Sequence, residues 1–388
     1  MRIASVALLL LLAPSPLSAQ DTGATAVTAA QVRSAIDTLG TLDFPVRMEA
    51  GRTIRRAASA IAVPALTEAV AKHQDGYVRF RALVLLSGFN DPRTRDVMVQ
   101  MLGEKNDRLR AVAYAFFEHH PDPAALPRLI DALATEESEF VRPALTRAIA
   151  AHGKEKAAQD TMTRLVMRGQ DFFRSAVIEA IGDYKGTYAF GPLTEVAKLD
   201  GPLQDDAVVA LGKLGDKRAL ETFAALQRTA PRHTQPAIAA AICMVGVNCG
   251  SHEGYLTESL EFGIRTAGFQ ELVRGAATGL AALAVAGNEE ALRTLISRGA
   301  PTRDPARAAI ALAIGTVALR NTELTLKVLE ADPKSDAALE LLREAFDMLE
   351  EDFIEERFFV TVRRGYWQAK PGSPTRRLAE ALIRKLEF

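Results

Sequence analysis

The sequence predicts an all-α protein, an α-solenoid in which short antiparallel helix pairs stack along the chain. Hydrophobic residues make up 48% of the chain but aromatic residues only 6%, which favours thin, closely packed helices over an aromatic-rich β core. A hydrophobe–arginine dipeptide recurs with a nearly constant spacing. The chain has 388 residues, more than the ~250–300 at which a single globular core stops growing. A repeat array accounts for all three observations.

Each repeat begins with the hydrophobe–arginine dipeptide, continues as a helix rich in small residues, and ends with a turn and a second amphipathic helix. The arginine-to-arginine steps are 31 (79 to 110), 32 (110 to 142) and 32 (142 to 174) residues. A period in this range is typical of stacked units, none of which buries its apolar face alone. The copies are Val78-Arg79, Leu109-Arg110, Val141-Arg142 and Phe173-Arg174, with Val273-Arg274 and Arg307 further on.

The starts of the second helices keep the same phase. Asp91-Pro92 and Asp122-Pro123 are separated by 31 residues (91 to 122). Aspartate caps a helix N-terminus and proline suits the first helical turn, so each dipeptide predicts where a second helix begins. Apolar residues then follow at helical spacing, as in Leu126, Ile130 and Leu133.

These patterns divide the chain into four segments. The array of about nine helix pairs is predicted over residues 31–335, after a polar, disordered linker over residues 20–30. Residues 336–388 depart from the repeat, carry more charge and contain the single tryptophan, so they are predicted to form a C-terminal helical cap. Residues 1–19 are predicted to be a signal peptide.

The signal peptide prediction rests on a short apolar run with the right flanks. Arg2 precedes the run Ala7–Ala13, Pro14 breaks it, and Ala19 is the small residue at which cleavage is expected. A membrane anchor is the alternative, but the run is well short of the ~20 residues that a span needs. We therefore expect an exported, soluble protein, periplasmic or secreted, with no membrane span.

The two cysteines, Cys243 and Cys249, are six residues apart, with glycines and Asn248 in and beside the intervening loop. In an oxidising compartment this spacing favours a local disulfide that joins two consecutive helices. Two buried free thiols are the alternative. Two cysteines alone do not make a zinc site.

The segment Ala210–Leu220, ALGKLGDKRAL, resembles the core of a short HEAT repeat, as do Ile181-Gly182-Asp183 and each hydrophobe–arginine pair. The resemblance is to HEAT-like repeats of about thirty residues, the type also found in phycobilisome lyases. It implies a right-handed superhelix, with first helices usually on the convex side and second helices on the concave side. One segment, Gly287–Ala300, also looks similar to an ankyrin repeat, and that geometry stays open there.

The recurrent arginines Arg79, Arg110, Arg142 and Arg174 are predicted to form a structural ladder. In HEAT-like stacks the equivalent arginine usually bonds to an acidic or polar group of its own or the adjacent repeat. An acidic residue lies three or four positions ahead of each one, within reach on a helical turn. An anion-binding row is the alternative. The acidic residues are Asp75, Asp107, Glu139 and Asp171.

Candidate partner-binding residues follow from the resemblance and from one aromatic-basic stretch. If second helices line the concave side, their exposed polar residues contact the partner. The C-terminal segment is either a hydrophobic seal or a binding surface with arginine and aromatic anchors. The second-helix candidates are Arg95, Gln100, Arg128, Asp131, Arg164, Arg168 and Glu195, and the C-terminal ones are Arg357, Arg363, Tyr366 and Trp367.

Catalytic and metal signals are weak. The sequence contains no nucleophile elbow, phosphate loop or zinc-protease motif. The pair His119-His120 would need further ligands to hold a metal. His252-Glu253 is similar to the pairs of di-iron HEAT hydroxylases, which need several such pairs. We predict no cofactor and no metal.

The sequence therefore favours a non-enzymatic exported scaffold that binds a protein or peptide on the concave face of its solenoid. An enzyme, or the accessory subunit of a protein-modifying enzyme similar to the lyases, is the alternative. The formal net charge of −1 argues against a nucleic-acid partner.

Overall fold

A computed structural model of the chain describes residues 26–332, 335–349 and 352–388. The described residues form helices, turns and loops without a β-strand. The predicted signal peptide lies outside the described residues, as does most of the predicted linker. The last two linker residues are helical, because Thr28 and Gln31 form a reciprocal capping box that starts the first helix at Ala29.

The helices follow one another with short connections. They are α1 (Ala29–Thr38), α2 (Phe44–Arg56), α3 (Ser59–Lys72), α4 (Gly76–Ser87), α5 (Arg93–Met101), α6 (Asp107–His119), α7 (Leu126–Ala132), α8 (Arg142–Ala150), α9 (Lys156–Val166), α10 (Asp171–Asp183), α11 (Phe190–Ala197), α12 (Gln204–Leu214), α13 (Ala219–Thr229), α14 (Gln235–Met244), α15 (Cys249–Arg265), α16 (Gln270–Val285), α17 (Glu289–Gly299), α18 (Ala306–Arg320), α19 (Thr322–Ala331), α20 (Ser335–Leu349), α21 (Asp352–Gln368) and α22 (Pro374–Leu386). A 3-10 turn, Thr187–Ala189, precedes α11.

The helices up to α20 lie in two layers. Each even-numbered helix from α2 to α20 contacts the next even-numbered helix, and from α4 onward these contacts are more extensive than those between neighbouring odd-numbered helices. The even-numbered helices are the ones that begin with the hydrophobe–arginine dipeptide in the copies identified above. Within the described residues, α2 to α19 make nine helix pairs, and α1 precedes them.

Small residues allow the even-numbered helices to approach closely. A Cβ built on Gly212 of α12 would lie 2.5 Å from Cα of Ala241 on α14, and one on Gly182 of α10 would lie 2.9 Å from Cα of Ala210 on α12. Only glycine fits at such distances. Backbones therefore pack against each other directly in this layer, which shortens it relative to the odd-numbered layer.

The shortened layer lies on the inside of a strongly curved stack. Glu118 on α6 and Arg320 on α18 are separated by six helix-to-helix steps, about 50–60 Å along the stack at 8–10 Å per step. Their charged atoms nevertheless lie 3.8 Å apart. The stack therefore curls until distant repeats meet across its concave side. The even-numbered, first helices line that side, which reverses the assignment expected from the resemblance.

The C-terminal region departs from the predicted boundary at residue 335. Helix α20 packs on α18 as a further inner helix, and Arg307 of α18 forms a bidentate ion pair with Glu344 of α20. Helix α21 then leaves the stack and crosses the concave side to contact α4, α6 and α18. Helix α22 packs back on α19, α20 and α21. The cap therefore consists of α21 and α22 only.

Two further features complete the array. The segment with the ankyrin-like sequence forms α17, an outer helix capped by the side chain of Asn288, between α15 and α19 of the same layer. Among the described residues no single helix is long and apolar enough to span a bilayer, although α18 and α19, bent by 115° at their junction, pass that test as a pair.

Candidate functional site

The concave side carries a polar cluster where the C-terminal ends of several inner helices converge. The buried carboxylate of Glu118 on α6 accepts hydrogen bonds from Nε of Arg147 on α8 at 2.8 Å and from the hydroxyl of Tyr184, just after α10, at 2.9 Å. Burial, followed by the negative charge of Glu118, raises the pKa of Tyr184. The phenol therefore stays protonated and donates to Glu118. The cluster joins α6, α8, α10 and α18 at one point.

Asp183 extends this cluster along the inner face. Its carboxylate accepts from Arg147 at 2.8 Å and from the ammonium of Lys213 on α12 at 2.5 Å. Burial opposes its ionisation, but attraction to Lys213 and Arg147 and the hydrogen bonds that they donate outweigh burial and lower the pKa of Asp183 to about 2. Asp183 is thus a carboxylate held ionised between two cations.

Two further carboxylates on the inner layer, Glu179 and Asp206, have less positive charge beside them than Asp183 has. Burial, and then repulsion by Asp206, raises the pKa of Glu179 on α10. Burial likewise raises the pKa of Asp206 on α12, although the hydroxyl of Ser175 donates to it at 2.6 Å. The Glu179 side chain is still reached by solvent. This part of the concave side is therefore open and acidic.

Helix α21 is fastened to the other end of the concave side by a buried ion pair. The guanidinium of Arg55 on α2 donates three hydrogen bonds of 2.5 to 3.1 Å to the carboxylate of Glu356 on α21. The side chains of Arg55 and Glu356 are only 4% and 1% exposed. Arg363 on α21 adds a longer bond of 3.3 Å to the same carboxylate. One glutamate thus joins the first repeat to the last helices.

A second ion pair and a ring contact complete the surface of the array that holds α21. We call this surface, formed by Arg55, Arg81 and His119, the seat of α21. Arg81 on α4 pairs with Asp352 at the start of α21. The imidazole of His119 lies parallel to the ring of Phe353, with centroids 6.0 Å apart. Burial, and then the positive charge of Arg357, lowers the pKa of His119 to about 2. His119 is therefore a neutral packing group at neutral pH.

No metal site accompanies these histidines in the part of the chain that the structure describes. No group of three or more histidine, cysteine, aspartate or glutamate side chains there has an arrangement that could hold a metal ion. His120 stacks on Phe116 with centroids 4.4 Å apart. Both members of the vicinal pair therefore pack against aromatic rings.

The predicted partner-binding residues fall into two separate groups. The second-helix residues lie on or next to the outer helices α5, α7, α9 and α11, and all seven are exposed. Arg95 pairs with Asp122 of the following turn. Arg357 and Arg363 instead lie on α21 at the concave side. Tyr366 and Trp367 end that helix, where Arg376 of α22 stacks over the ring of Tyr366 at 3.4 Å. The structure does not bring the two groups together.

The four ladder arginines hydrogen-bond mostly to the turns that precede their helices. Arg79 donates to the carbonyl of Val70 and Arg174 to that of Val166, near the ends of the preceding outer helices. Arg110 and Arg142 donate to loop carbonyls, Arg110 to those of Glu104 and Lys105 and Arg142 to that of Glu136. Of the acidic partners expected three or four residues ahead, only Asp171 pairs with its arginine.

The ladder is extended by acidic residues that the sequence reasoning missed. Arg79 pairs with Glu104 at 2.6 Å, and Arg110 forms a bidentate pair with Glu136 at 2.7 Å. Both glutamates follow the outer helix of the arginine's own pair. The guanidinium groups of Arg79 and Arg110 are thus engaged with carboxylates, which favours a structural ladder over an open row for anions.

The cysteines are joined as a disulfide across the turn between α14 and α15. Cys243 is buried at the end of α14, and Cys249 begins α15. The bond fixes the start of the 17-residue outer helix α15 to the inner layer.

Glu118, Arg55 and Glu356 were also missed at the sequence level. A signal for Glu118 existed, because it occupies the place of Ala150 and Gly182 in the next two repeats (118, 150, 182). A charged residue at a position that is small and buried in the other repeats indicates a charged or hydrogen-bonding partner nearby. Arg55 and Glu356 have no comparable signal, since they are 301 residues apart in the chain.

Comparisons with known proteins agree with the fold. The family model of HEAT repeats matches residues 32–117. A search of the curated proteins found no match. Among solved structures, YibA of E. coli is similar with 18% identity over 57% of this chain and 83% of its own, at a TM-score of 0.40.

Two other solved structures are similar at the same level. The complex of CpcE and CpcF of phycocyanin lyase from Nostoc sp. PCC7120 has 18% identity over 62% of this chain and 98% of its own, with a TM-score of 0.36. The complex of Kap95p with RanGDP has 12% identity over 91% of this chain and 54% of its own, with a TM-score of 0.37. The helices of the structure and the family match together show an all-α solenoid whose residues 32–117 match HEAT repeats.

Proposed function

We propose that the protein is a non-enzymatic, exported scaffold that binds a protein partner on the concave side of its solenoid. The observation that carries the proposal is the position of α21, which lies as a helix on the inner helices α4 and α6. The concave side therefore has the shape and the polar groups to accept a helix. Curved helical repeat arrays in general use their concave surfaces in this way.

The open, acidic part of the concave side supports the same function. Glu179 is reached by solvent, but partial burial among the inner helices and then repulsion from Asp206 disfavour its charge and raise its pKa. A basic side chain of a partner would relieve that repulsion. The exposed outer-layer residues, such as Arg128 and Arg164, lie on the opposite side and provide a control surface.

Export is part of the proposal and rests on the sequence of residues 1–19 and on the cysteine pair. A disulfide forms and persists in oxidising compartments such as the periplasm or the extracellular space. Mass spectrometry of the native protein would test export directly, with Gln20 expected as the first residue of the mature chain.

Affinity capture of the mature chain from the native envelope or secreted fraction tests the binding function. The variant Glu179→Arg is expected to lose the captured partner. The outer-layer variant Arg128→Glu/Arg164→Glu is expected to retain it. Loss of the partner only in the outer-layer variant would move the binding surface to the convex side, and equal capture by all three proteins would contradict the concave-side proposal.

A further inference from the structure

The seat of α21 has a chemistry that defines the helix it accepts. The array contributes two cations, Arg55 on α2 and Arg81 on α4, and α21 contributes two carboxylates, Glu356 and Asp352. The carboxylates are four residues apart, one helical turn, so they lie on the same face of α21. At these two ion pairs the array side is basic and the helix side acidic, although α21 also carries Arg363 beside Glu356.

The surface between the charges is shaped for close approach. A Cβ built on Gly88, just after α4, would lie 2.8 Å from Oε1 of Glu356, so any larger residue would push this carboxylate away from Arg55. Phe353 is buried beside His119, and Phe358 is buried against Phe346 of α20. The seat thus selects a helix that carries aromatic side chains beside its two carboxylates.

The ion pairs of this contact add little net binding free energy, but they distinguish a helix with the right carboxylates from one without them. Burying an ion pair removes both ions from water, and the attraction between them only roughly compensates that loss. A helix that lacks the carboxylate of Glu356 would leave the buried Arg55 without this partner, which is strongly unfavourable. The Arg81–Asp352 pair is more exposed, so its loss costs less. The Arg55–Glu356 pair therefore discriminates between helices without making the bound helix permanent.

Helix α20 has attachments to the array that do not involve α21 or α22, in addition to its contacts with these two helices. Only residues 350–351 separate α20 from α21, and α20 is held in the inner layer independently by Arg307–Glu344 and by the close contact of Gly315 with Ala345. Helices α21 and α22 are fastened to each other, with the rings of Phe359 and Phe388 stacked at 4.0 Å. They form a unit, which we call the C-terminal hairpin.

We propose that the C-terminal hairpin is an autoinhibitory occupant of the concave side, and that the partner replacing it presents a helix of the same chemistry as α21. That partner helix carries two carboxylates one turn apart, flanked by aromatic side chains. This inference rests on the proposed scaffold function, since it identifies the partner class and the regulation of another part of the same concave side.

A peptide-binding experiment on the full mature chain tests the inference. The probe is a fluorescein-labelled peptide with the sequence of α21, Asp352–Gln368, and its fluorescence anisotropy reports binding. The control peptide carries Asp352→Asn and Glu356→Gln. The proteins are the wild type, the variant Glu356→Gln, and the matched variant Asp160→Asn, which removes a carboxylate from the exposed Lys156–Asp160 pair on α9.

The variant Glu356→Gln is expected to bind the probe at least tenfold more tightly than the wild type or Asp160→Asn, because its hairpin vacates the seat more often. The control peptide is expected to bind the same variant at least tenfold more weakly than the probe. Hydrogen exchange is expected to accelerate in α21 and α22 and to stay unchanged in α8 to α16, which also establishes that the array remains folded.

Equal affinity of wild type and Glu356→Gln for the probe would overturn the inference, as would equal binding of probe and control peptide. If Glu356→Gln does not fold, Asp352→Asn, which breaks the more exposed Arg81 pair, takes its place with the same expectations. The partner-capture experiment above is independent. Tight probe binding without any captured partner would refute the scaffold function alone, whereas capture that is insensitive to Glu356→Gln would refute the autoinhibition alone.

Discussion

Glu118 on α6 and Arg320 on α18 bring the two halves of the array together, with 3.8 Å between their charged atoms. Six steps of the inner layer lie between the two helices. Because Glu118 also accepts hydrogen bonds from Arg147 and Tyr184, this single buried carboxylate connects four inner helices. The polar cluster and the approach of α18 to α6 therefore involve the same residue.

Glu118→Gln is expected to destabilise the protein by about 1.5–3 kcal/mol, because it weakens the charge-assisted hydrogen bonds from Arg147 and Tyr184, while Arg147 keeps Asp183 as a counter-charge. Chemical denaturation followed by circular dichroism measures the loss. Glu49→Gln provides the control, since Glu49 is 55% exposed and its loss is expected to change stability by less than about 1 kcal/mol. A similar effect of the two substitutions would mean that the polar cluster does not hold the repeats together.

Arg110→Ala is expected to cost about 3–5 kcal/mol. The substitution removes both hydrogen bonds to Glu136, a carboxylate that is 3% exposed and has no second cationic partner among the described residues. Arg93→Ala is the matched control, because Arg93 forms an exposed pair with Asp91 at the start of α5. Thermal unfolding compares the two variants, and equal melting temperatures would argue against a structural ladder.

Gly212→Ala and Gly254→Ala are expected to act in opposite directions. The new Cβ at position 212 would overlap the backbone of Ala241, so we expect a loss of about 1–3 kcal/mol. Gly254 lies within the outer helix α15, and no neighbouring group comes within 4 Å of the place that an alanine methyl would occupy. Alanine there is expected to stabilise the protein by up to about 1 kcal/mol. Chemical denaturation measures both changes, and a neutral Gly212→Ala would mean that the inner layer tolerates a wider spacing.

Asp183→Asn is expected to have a pH-dependent effect. The pKa of Asp183 is lowered from its usual 3.8 to about 2, so its ionised form stabilises the folded state. That contribution, about 2 kcal/mol, is fully present above pH ~4 and disappears as the pH falls through about 2. Denaturation of wild type and variant between pH 2 and 7 measures it. A difference that does not shrink at low pH would contradict an electrostatic origin.

Replacement of both Cys243 and Cys249 by serine is expected to cost about 2 kcal/mol, the modest value for a short closed loop. Reduction with dithiothreitol is expected to lower the melting temperature of the wild type and to leave the double variant unchanged. Insensitivity of the wild type to reduction would show that the bond contributes little to the attachment of α15.

Several elements of the array follow from the sequence alone. The spacing of the hydrophobe–arginine pairs predicts the repeat, the Asp-Pro dipeptides predict the turns, and the two cysteines predict their own pairing. These features are local, because helix periodicity, capping and short loop closure depend on residues within about ten positions of each other. The position of glycines such as Gly182 and Gly212 is likewise visible as a recurring Ala-x-Gly or Gly-Asp pattern.

The tertiary structure decided which layer faces inward and where α21 is seated. The curvature of the array is the sum of small rotations between neighbouring repeats, so the sequence of a single repeat does not reveal it. The close contact of Gly212 with Ala241 shortens one layer, and only the sum of such contacts brings Glu118 to Arg320. The pairing of Arg55 with Glu356 depends on that sum as well, because two residues 301 positions apart meet only after the whole stack has curved.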